Sequence, residues 1–112
     1  MKIAEVIILD DAVEDLELGR RFYEERGEGI GDYFVDSLLS DIESLYLYGG
    51  IHTHRFGYQR LLSNRFPFAV YYEIEATSAR VIAVLDMRQN PEGIRKSLAK
   101  RKGCQQTGRG NE

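Results

Sequence analysis

The chain has 112 residues, of which 43% are hydrophobic and 29% charged, with a formal net charge of -3 at pH 7 and a single cysteine. This length allows one domain with one core, the lone Cys104 excludes a disulfide framework, and no apolar run approaches the ~20 residues that cross a membrane. Because Glu5 interrupts the start, where a signal peptide needs an apolar stretch, we expect a soluble, cytoplasmic protein.

The first part of the chain predicts a strand and then a helix. Residues Ile3 to Leu9 are mostly apolar and β-branched, which is typical of a buried strand. The first helix is expected to follow Asp11, whose carboxylate would form a capping box with Glu14. It should end near Arg26, where Gly27 follows.

A second helix is predicted from Asp32 to Tyr48, before two glycines that end it. Its apolar residues recur at the three- and four-residue spacing of an amphipathic helix: Phe34, Leu38, Ile42, Leu45 and Tyr48. Since only a short glycine-containing turn joins the helices, they should pack as an antiparallel hairpin on a sheet. The residues expected in the core are Leu16, Phe22, Leu38 and Leu45.

The second part of the chain predicts a three-stranded antiparallel meander of Tyr58 to Ser63, Phe68 to Glu75 and Ala79 to Met87. The middle strand alternates apolar and polar residues, which indicates one exposed face. The last strand is continuously apolar and should lie centrally, covered on both faces. The predicted fold is therefore α+β.

A short basic helix is expected after Pro91. Residues 103–112 contain little to bury and predict a disordered tail, so that a single domain would span residues 1–102.

Charge is distributed unevenly along the chain. Residues 1–54 contain 13 acids and 4 bases, whereas residues 55–112 contain 5 acids and 11 bases, so the halves carry -9 and +6. If the second half formed one surface, its field would attract phosphate; an ordinary mixed surface is the alternative. The acidic residues of the first helix fit a solvated helix N-terminus, or a contact with a basic partner. They are Asp10, Asp11, Glu14, Asp15 and Glu17.

Four segments resemble the RelE/ParE superfamily of small type II toxins, and its ParE-like subgroup in particular. The segment 29–34, Gly-Ile-Gly-Asp-Tyr-Phe, is similar to a Gly-Leu-Gly-acid-x-Phe motif at the start of the family's second helix. Segments 60–62 and 65–72 resemble its second and third strands, joined by a basic-Phe-Pro-aromatic turn. Segment 84–91 is similar to its last strand, which ends in an arginine and then a proline. Together these segments cover about residues 3 to 95 in the family's order.

Two departures from the family pattern concern the end of the last strand. Gln89 and Asn90 stand where the family usually has a second arginine and an acid. Residues 92–94 stand where it often has a tryptophan or a tyrosine. These departures leave the predicted fold unaffected and weigh against catalysis.

The resemblance implies the toxin of a bacterial toxin-antitoxin system, of the kind that inhibits growth and stabilises plasmids. It implies an antitoxin that wraps the sheet and helices, in a heterotetramer or larger complex, and no cofactor. Three functions remain open: a ParE-like toxin that poisons DNA gyrase or another target, which we favour slightly; a RelE-like, ribosome-dependent mRNA endonuclease; and a degenerate protein that only binds an antitoxin.

An endonuclease of this family would need cations for the phosphorane-like transition state, together with a general base and acid. Arg60 and Arg88 are the candidate catalytic cations, although strand-end arginines also simply solubilise a sheet face. The residues expected to bind RNA or another target are Arg65, Arg95, Lys96, Lys100 and Arg101.

No acid/base group is evident from the sequence. Tyr58, Tyr71 and Tyr72 lie on predicted strands, where aromatic residues more often pack than react. His52 and His54 have the i, i+2 spacing of a paired site, but no third ligand accompanies them, so we expect no metal.

Overall fold

The protein is described here by a computed structural model, which covers the backbone of residues 2–108 and the side chains of residues 2–101. The elements in chain order are β1 (Glu5–Ile8), α1 (Asp10–Glu24), α2 (Ile30–Glu43), α3 (Leu45–Tyr48), β2 (His54–Arg55), β3 (Tyr58–Leu62), β4 (Phe68–Glu75), β5 (Ser78–Asp86) and α4 (Pro91–Gly108).

The five strands form one sheet in the order β1-β5-β4-β3-β2. β1 runs parallel to its neighbour β5, whereas all other pairs are antiparallel. The predicted N-terminal strand and three-stranded meander are therefore confirmed, and β5 is central as expected. The short strand β2 was not predicted. It forms a hairpin with β3 through Phe56 and Gly57, whose φ angles of 57° and 90° fit a tight two-residue turn.

α1, α2 and α3 cover one face of the sheet. Leu16, Leu38 and Leu45 are buried there, as predicted. Phe22 is 39% exposed, so its assignment to the core was wrong. The buried stripe of α1 continues from Gly19 to Tyr23 at the four-residue helical spacing, which turns Phe22 outward.

α4 covers the opposite face and creates a second core there. Ile94 and Leu98 of α4 pack with Ala69 and Tyr71 of β4. The prediction that β4 has an exposed face was therefore wrong, because α4 removes that face from solvent. α4 is also longer than the short helix predicted. The backbone of residues 103–108, which we assigned to a disordered tail, continues helix α4. Residues 109–112 of that predicted tail lie outside the described residues.

The glycines of the Gly-Ile-Gly segment allow α1 and α2 to approach closely. Gly29 has a φ of 86°, a conformation that side chains disfavour. A Cβ on Gly31 would lie 2.5 Å from the carbonyl oxygen of Arg20. The Glu24 carboxylate accepts hydrogen bonds from the Gly29 and Gly31 amides at 3.0 and 2.9 Å. This capping explains why α2 begins at Ile30 and not at Asp32.

Two local predictions about the helices were wrong. The capping box of Asp11 and Glu14 does not form, since α1 begins at Asp10 and its N-cap is Leu9. The predicted single helix to Tyr48 is interrupted at Ser44, whose hydroxyl donates to the Asp41 carbonyl at 2.6 Å. Such a bond competes with the helical backbone pattern.

Candidate functional site

The predicted catalytic cation Arg88 is paired with an acid of its own strand end. Its Nε and Nη2 atoms donate to the two carboxylate oxygens of Asp86 at 3.0 and 2.7 Å. These hydrogen bonds hold the pKa of Asp86 below its usual value and raise the pKa of Arg88. Arg88 also approaches Tyr23 of α1, which packs on the α1–α2 side of the sheet. The charge of Arg88 is thus already balanced by Asp86.

The other predicted cation, Arg60, has a different environment. It lies on β3 directly opposite Tyr71 of β4, whose side chain belongs to the core under α4. Burial raises the pKa of Tyr71, and the guanidinium beside it has the opposite effect. Arg60 and Arg88 therefore occupy opposite sides of the sheet, each beside a different tyrosine. The structure does not bring the two together into one site.

The tyrosines of β3 and β4 are poorly suited to accept a proton. Burial raises the pKa values of Tyr58, Tyr71 and Tyr72, so these phenols stay protonated at neutral pH. Each can donate a hydrogen bond but is a weak general base there.

Arg65 lies in the β3–β4 turn, where it is exposed. Its guanidinium carbon is 5.9 Å from the ring centroid of Tyr33 on α2. The adjacent Phe66 packs edge-on against Tyr23 and Phe34, at centroid distances of 4.8 and 5.1 Å. The basic-Phe-Pro turn is thus anchored by its phenylalanine, which leaves the arginine available to a partner.

The basic residues predicted on α4 have unequal roles. Lys96 and Lys100 are exposed, and Arg95 pairs with Glu92 one turn earlier on the helix. Arg101 forms a two-pronged ion pair with Asp15 of α1 and donates to the Ile82 carbonyl oxygen at 3.1 Å. It therefore fastens α4 to the fold, and this engagement argues against the target-binding role that we expected.

His52 takes part in a polar network on the α1–α2 side of the sheet. Its Nδ1 atom is hydrogen-bonded to the Tyr72 hydroxyl, which also accepts from the Gly50 amide and donates to Gln59. Burial lowers the pKa of His52. The described side chains include no group of three or more potential metal ligands. The network fastens the segment before β2 to the sheet.

A groove lies along the free edge of β1. Its volume is about 400 Å³, and it lies between β1, α2 and α3. Val6 and Ile8 form one wall, and the half-exposed Leu39 and Tyr46 form the other. The acidic residues among its lining are Asp36 and Glu43. Because β5 is the single strand neighbour of β1 among the described residues, an extended segment could pair with the other side of β1.

Sequence reasoning missed two polar residues that the fold uses. Asp15 was assigned to a solvated acidic face, but its side chain is only 7% exposed and accepts from Arg101 and the Val84 amide. Its position on the Ala12–Leu16–Gly19 stripe was a signal that it faces inward. Gln59 was also missed, and no local pattern indicates its contact with Tyr72.

Comparisons with known proteins gave one informative result. No family model matches the sequence, and no curated protein matches it. A chain from a solved structure of a chromosomal ParDE toxin-antitoxin system from P. aeruginosa superimposes with a TM-score of 0.67 at 15% sequence identity. The match covers 75% of this chain and 96% of that one. This structural correspondence shows that the chain has a ParE-like fold, as the four sequence segments predicted. Among the residues that the structure describes, no helix is long and apolar enough to cross a membrane.

Proposed function

We propose that this protein is the toxin of a toxin-antitoxin system, inhibits growth, and is silenced by a protein antitoxin. The observation that carries the proposal is the fold correspondence, which extends over 96% of the ParDE chain. The Gly-Ile-Gly segment adds support, because the structure gives its two glycines specific roles in the helical hairpin.

We favour a ParE-like toxin, acting on DNA gyrase or another target, over an RNA endonuclease. The arginines that would form the catalytic pair have separate surroundings, and Arg88 is already paired with Asp86. The neighbouring tyrosines have raised pKa values, which disfavours them as bases. A non-enzymatic mechanism needs neither group.

One observation supports the alternative function as an endonuclease, namely the position of Arg60 beside Tyr71. An arginine that stabilises charge next to a phenol that donates a proton is one half of such a site. A degenerate protein that only binds an antitoxin remains the third alternative.

The groove along β1 is our proposed antitoxin site. Val6, Ile8, Leu39 and Tyr46 give the groove apolar sides, and the edge of β1 offers backbone groups for an added strand. Since Asp36 and Glu43 are among its lining residues, we expect an extended antitoxin segment with alternating apolar side chains and at least one lysine or arginine.

The groove is tested by copurification with the protein encoded by the adjacent gene. Leu39→Asp adds a third acid to the groove and should abolish copurification while the growth inhibition persists. Val13→Asp is the matched control, because Val13 is similarly exposed but lies on α1, outside the groove. Equal copurification of both variants, with unchanged melting temperatures, would exclude the groove.

The target is tested with the purified protein in two assays. Inhibition of gyrase-dependent supercoiling, without new 5′ ends on a translated transcript, would support the ParE-like toxin. Codon-phased cleavage of the transcript, lost in Arg60→Ala but not in Arg95→Ala, would establish the endonuclease instead. If neither effect occurs and antitoxin binding is retained, the protein either acts on another target or is degenerate. Growth inhibition on expression would then indicate another target, and normal growth would indicate the degenerate protein.

A further inference from the structure

The segment between α3 and β2 is attached to the sheet by polar contacts. Its one large apolar side chain, Ile51, is 74% exposed. The Gly50 amide donates to the Tyr72 hydroxyl at 3.0 Å, and the His52 amide donates to the side-chain oxygen of Gln59 at 3.2 Å. The His52 ring completes these contacts through its Nδ1 atom and the same Tyr72 hydroxyl. We call this network of Gly50, His52, Gln59 and Tyr72 the His52 clasp.

The strand that follows the clasp has little other anchorage. β2 consists of two exposed residues, both of which pair with β3. One further backbone hydrogen bond joins the Arg60 amide to the Thr53 carbonyl oxygen at 2.9 Å. Beyond β2, Phe56 packs against the core under α4, so the turn has an anchor of its own. Because segments with few buried apolar contacts open at low cost in free energy, the attachment of residues 49–55 depends on the clasp.

The clasp determines which ring nitrogen of His52 carries the proton. The Gln59 oxygen accepts from the His52 amide, so it is also the acceptor in its 3.1 Å contact with the Tyr72 hydroxyl. That hydroxyl has a single proton, which it therefore donates to Gln59. The contact between the hydroxyl and the His52 ring then needs a proton from the ring, so the neutral imidazole is protonated on Nδ1. A second proton can be added at Nε2 alone.

The groups that face His52 provide no counter-charge for a protonated ring. Burial lowers the pKa of His52, and no charged group among the described residues contributes to that shift. The adjacent strands present the Tyr72 phenol, which burial keeps protonated, and the uncharged Gln59 amide. The titratable group of β2 is the exposed His54, which would itself become positive in acid, and the end of α3 contributes the exposed phenol of Tyr48.

The charged residues of β3 and β4 beside the clasp face the other side of the sheet. Glu73 acts on Tyr58, and Arg60 lies beside Tyr71, both in the core under α4. A positive charge on the partly buried His52 therefore stays uncompensated, and burying such a charge costs free energy.

We propose that the His52 clasp is an acid-sensitive latch, which protonation of the ring at Nε2 opens. Opening releases residues 49–55 and leaves the outer edge of β3 without its neighbour β2. The sign follows from the lowered pKa of His52 in the attached state. The clasp contributes its full stability above the ordinary pKa of 6.5, and this contribution decreases as the pH falls from there through the folded-state pKa. The latch does not depend on the protein being a toxin.

Hydrogen exchange followed by NMR tests the latch on the full chain. The Gly50 and His52 amides donate within the clasp, so their protection factors, corrected for the intrinsic effect of pH, report its opening. These factors should fall several-fold between about pH 7.5 and about pH 5, the range in which a histidine titrates, whereas amides of the central strand β5 keep theirs. The nitrogen-15 shifts of the His52 ring at the higher pH should show the proton on Nδ1.

Two matched substitutions identify the group that titrates. His52→Gln keeps a side-chain donor for Tyr72 but cannot be protonated, so protection of the Gly50 amide should no longer depend on pH. His54→Gln removes the neighbouring exposed histidine and should behave like the wild type. Any of four results overturns the latch: unprotected clasp amides at neutral pH, wild-type protection that is independent of pH, a pH dependence that persists in His52→Gln, or a neutral ring protonated on Nε2. Loss of the dependence in His54→Gln would assign the titration to His54 and overturn it as well.

Discussion

Arg101 and Asp15, 86 residues apart in the chain, form a two-pronged ion pair with N–O distances of 2.6 and 2.8 Å. Their side chains are 18% and 7% exposed, respectively. The Asp15 carboxylate also accepts a hydrogen bond from the Val84 amide at 2.9 Å. The pair therefore joins α4, α1 and the central strand β5 at one buried point.

We expect Arg101→Gln to lower the free energy of unfolding by about 3 kcal/mol, because it leaves a buried carboxylate without its cation. Arg95→Gln removes an exposed pair with Glu92 and should cost no more than about 1 kcal/mol. Urea denaturation of both variants measures the difference. Equal destabilisation by the two substitutions would contradict the structural role of Arg101.

Gly19 should not tolerate even an added methyl group. A Cβ at this position would lie 2.4 Å from the ring of Phe34, which is fully buried between the helices and the sheet. We expect Gly19→Ala to destabilise the protein by about 1–3 kcal/mol through overpacking. Gly93→Ala is the control in α4, where the nearest atom is 3.7 Å away. It should be neutral or stabilising by up to about 1 kcal/mol, and thermal melts would reveal the opposite signs.

Glu24 should make stability depend on pH in the acidic range. Hydrogen bonds from the Gly29 and Gly31 amides lower its pKa from the ordinary value of 4.5. A carboxyl with a lowered folded-state pKa stabilises the protein above its unfolded-state pKa, and this contribution disappears as the pH falls through the folded-state pKa. The melting temperature of Glu24→Gln should thus be below that of the wild type at neutral pH and converge with it in acid.

The neighbouring Glu25→Gln serves as the control for the Glu24 titration, because no described hydrogen bond involves the Glu25 side chain. Its melting temperature should follow that of the wild type at every pH. If the gap between Glu24→Gln and the wild type stayed constant from neutral pH to about pH 3, the capping role of this carboxylate would be wrong.

Local patterns were sufficient to predict most of the fold. The four-residue stripes placed Leu16, Leu38 and Leu45 in the core, and the Gly-Ile-Gly segment marked the turn between the helices. The continuously apolar run of β5 correctly indicated a strand covered on both faces. Each of these signals depends on residues that are close in sequence.

The errors that bear on the candidate site concern relationships between distant segments. The alternation in β4 predicted an exposed face. This prediction was wrong because α4, which covers Tyr71, comes later in the chain and no residue near β4 indicates that contact. Asp15 was assigned to a solvated acidic run, because its partner Arg101 comes much later in the chain. Arg60 and Arg88 were grouped by residue type, and only the strand pairing and the side-chain contacts separate them.

The most direct test of the proposed toxin is induced expression in a bacterial host, with and without the protein encoded by the adjacent gene. We predict growth arrest when the protein is expressed alone and normal growth when its partner is coexpressed. Rescue should fail for Leu39→Asp but succeed for Val13→Asp, because Leu39 lines the groove and Val13 does not. Normal growth despite accumulation of folded wild-type protein would contradict the account.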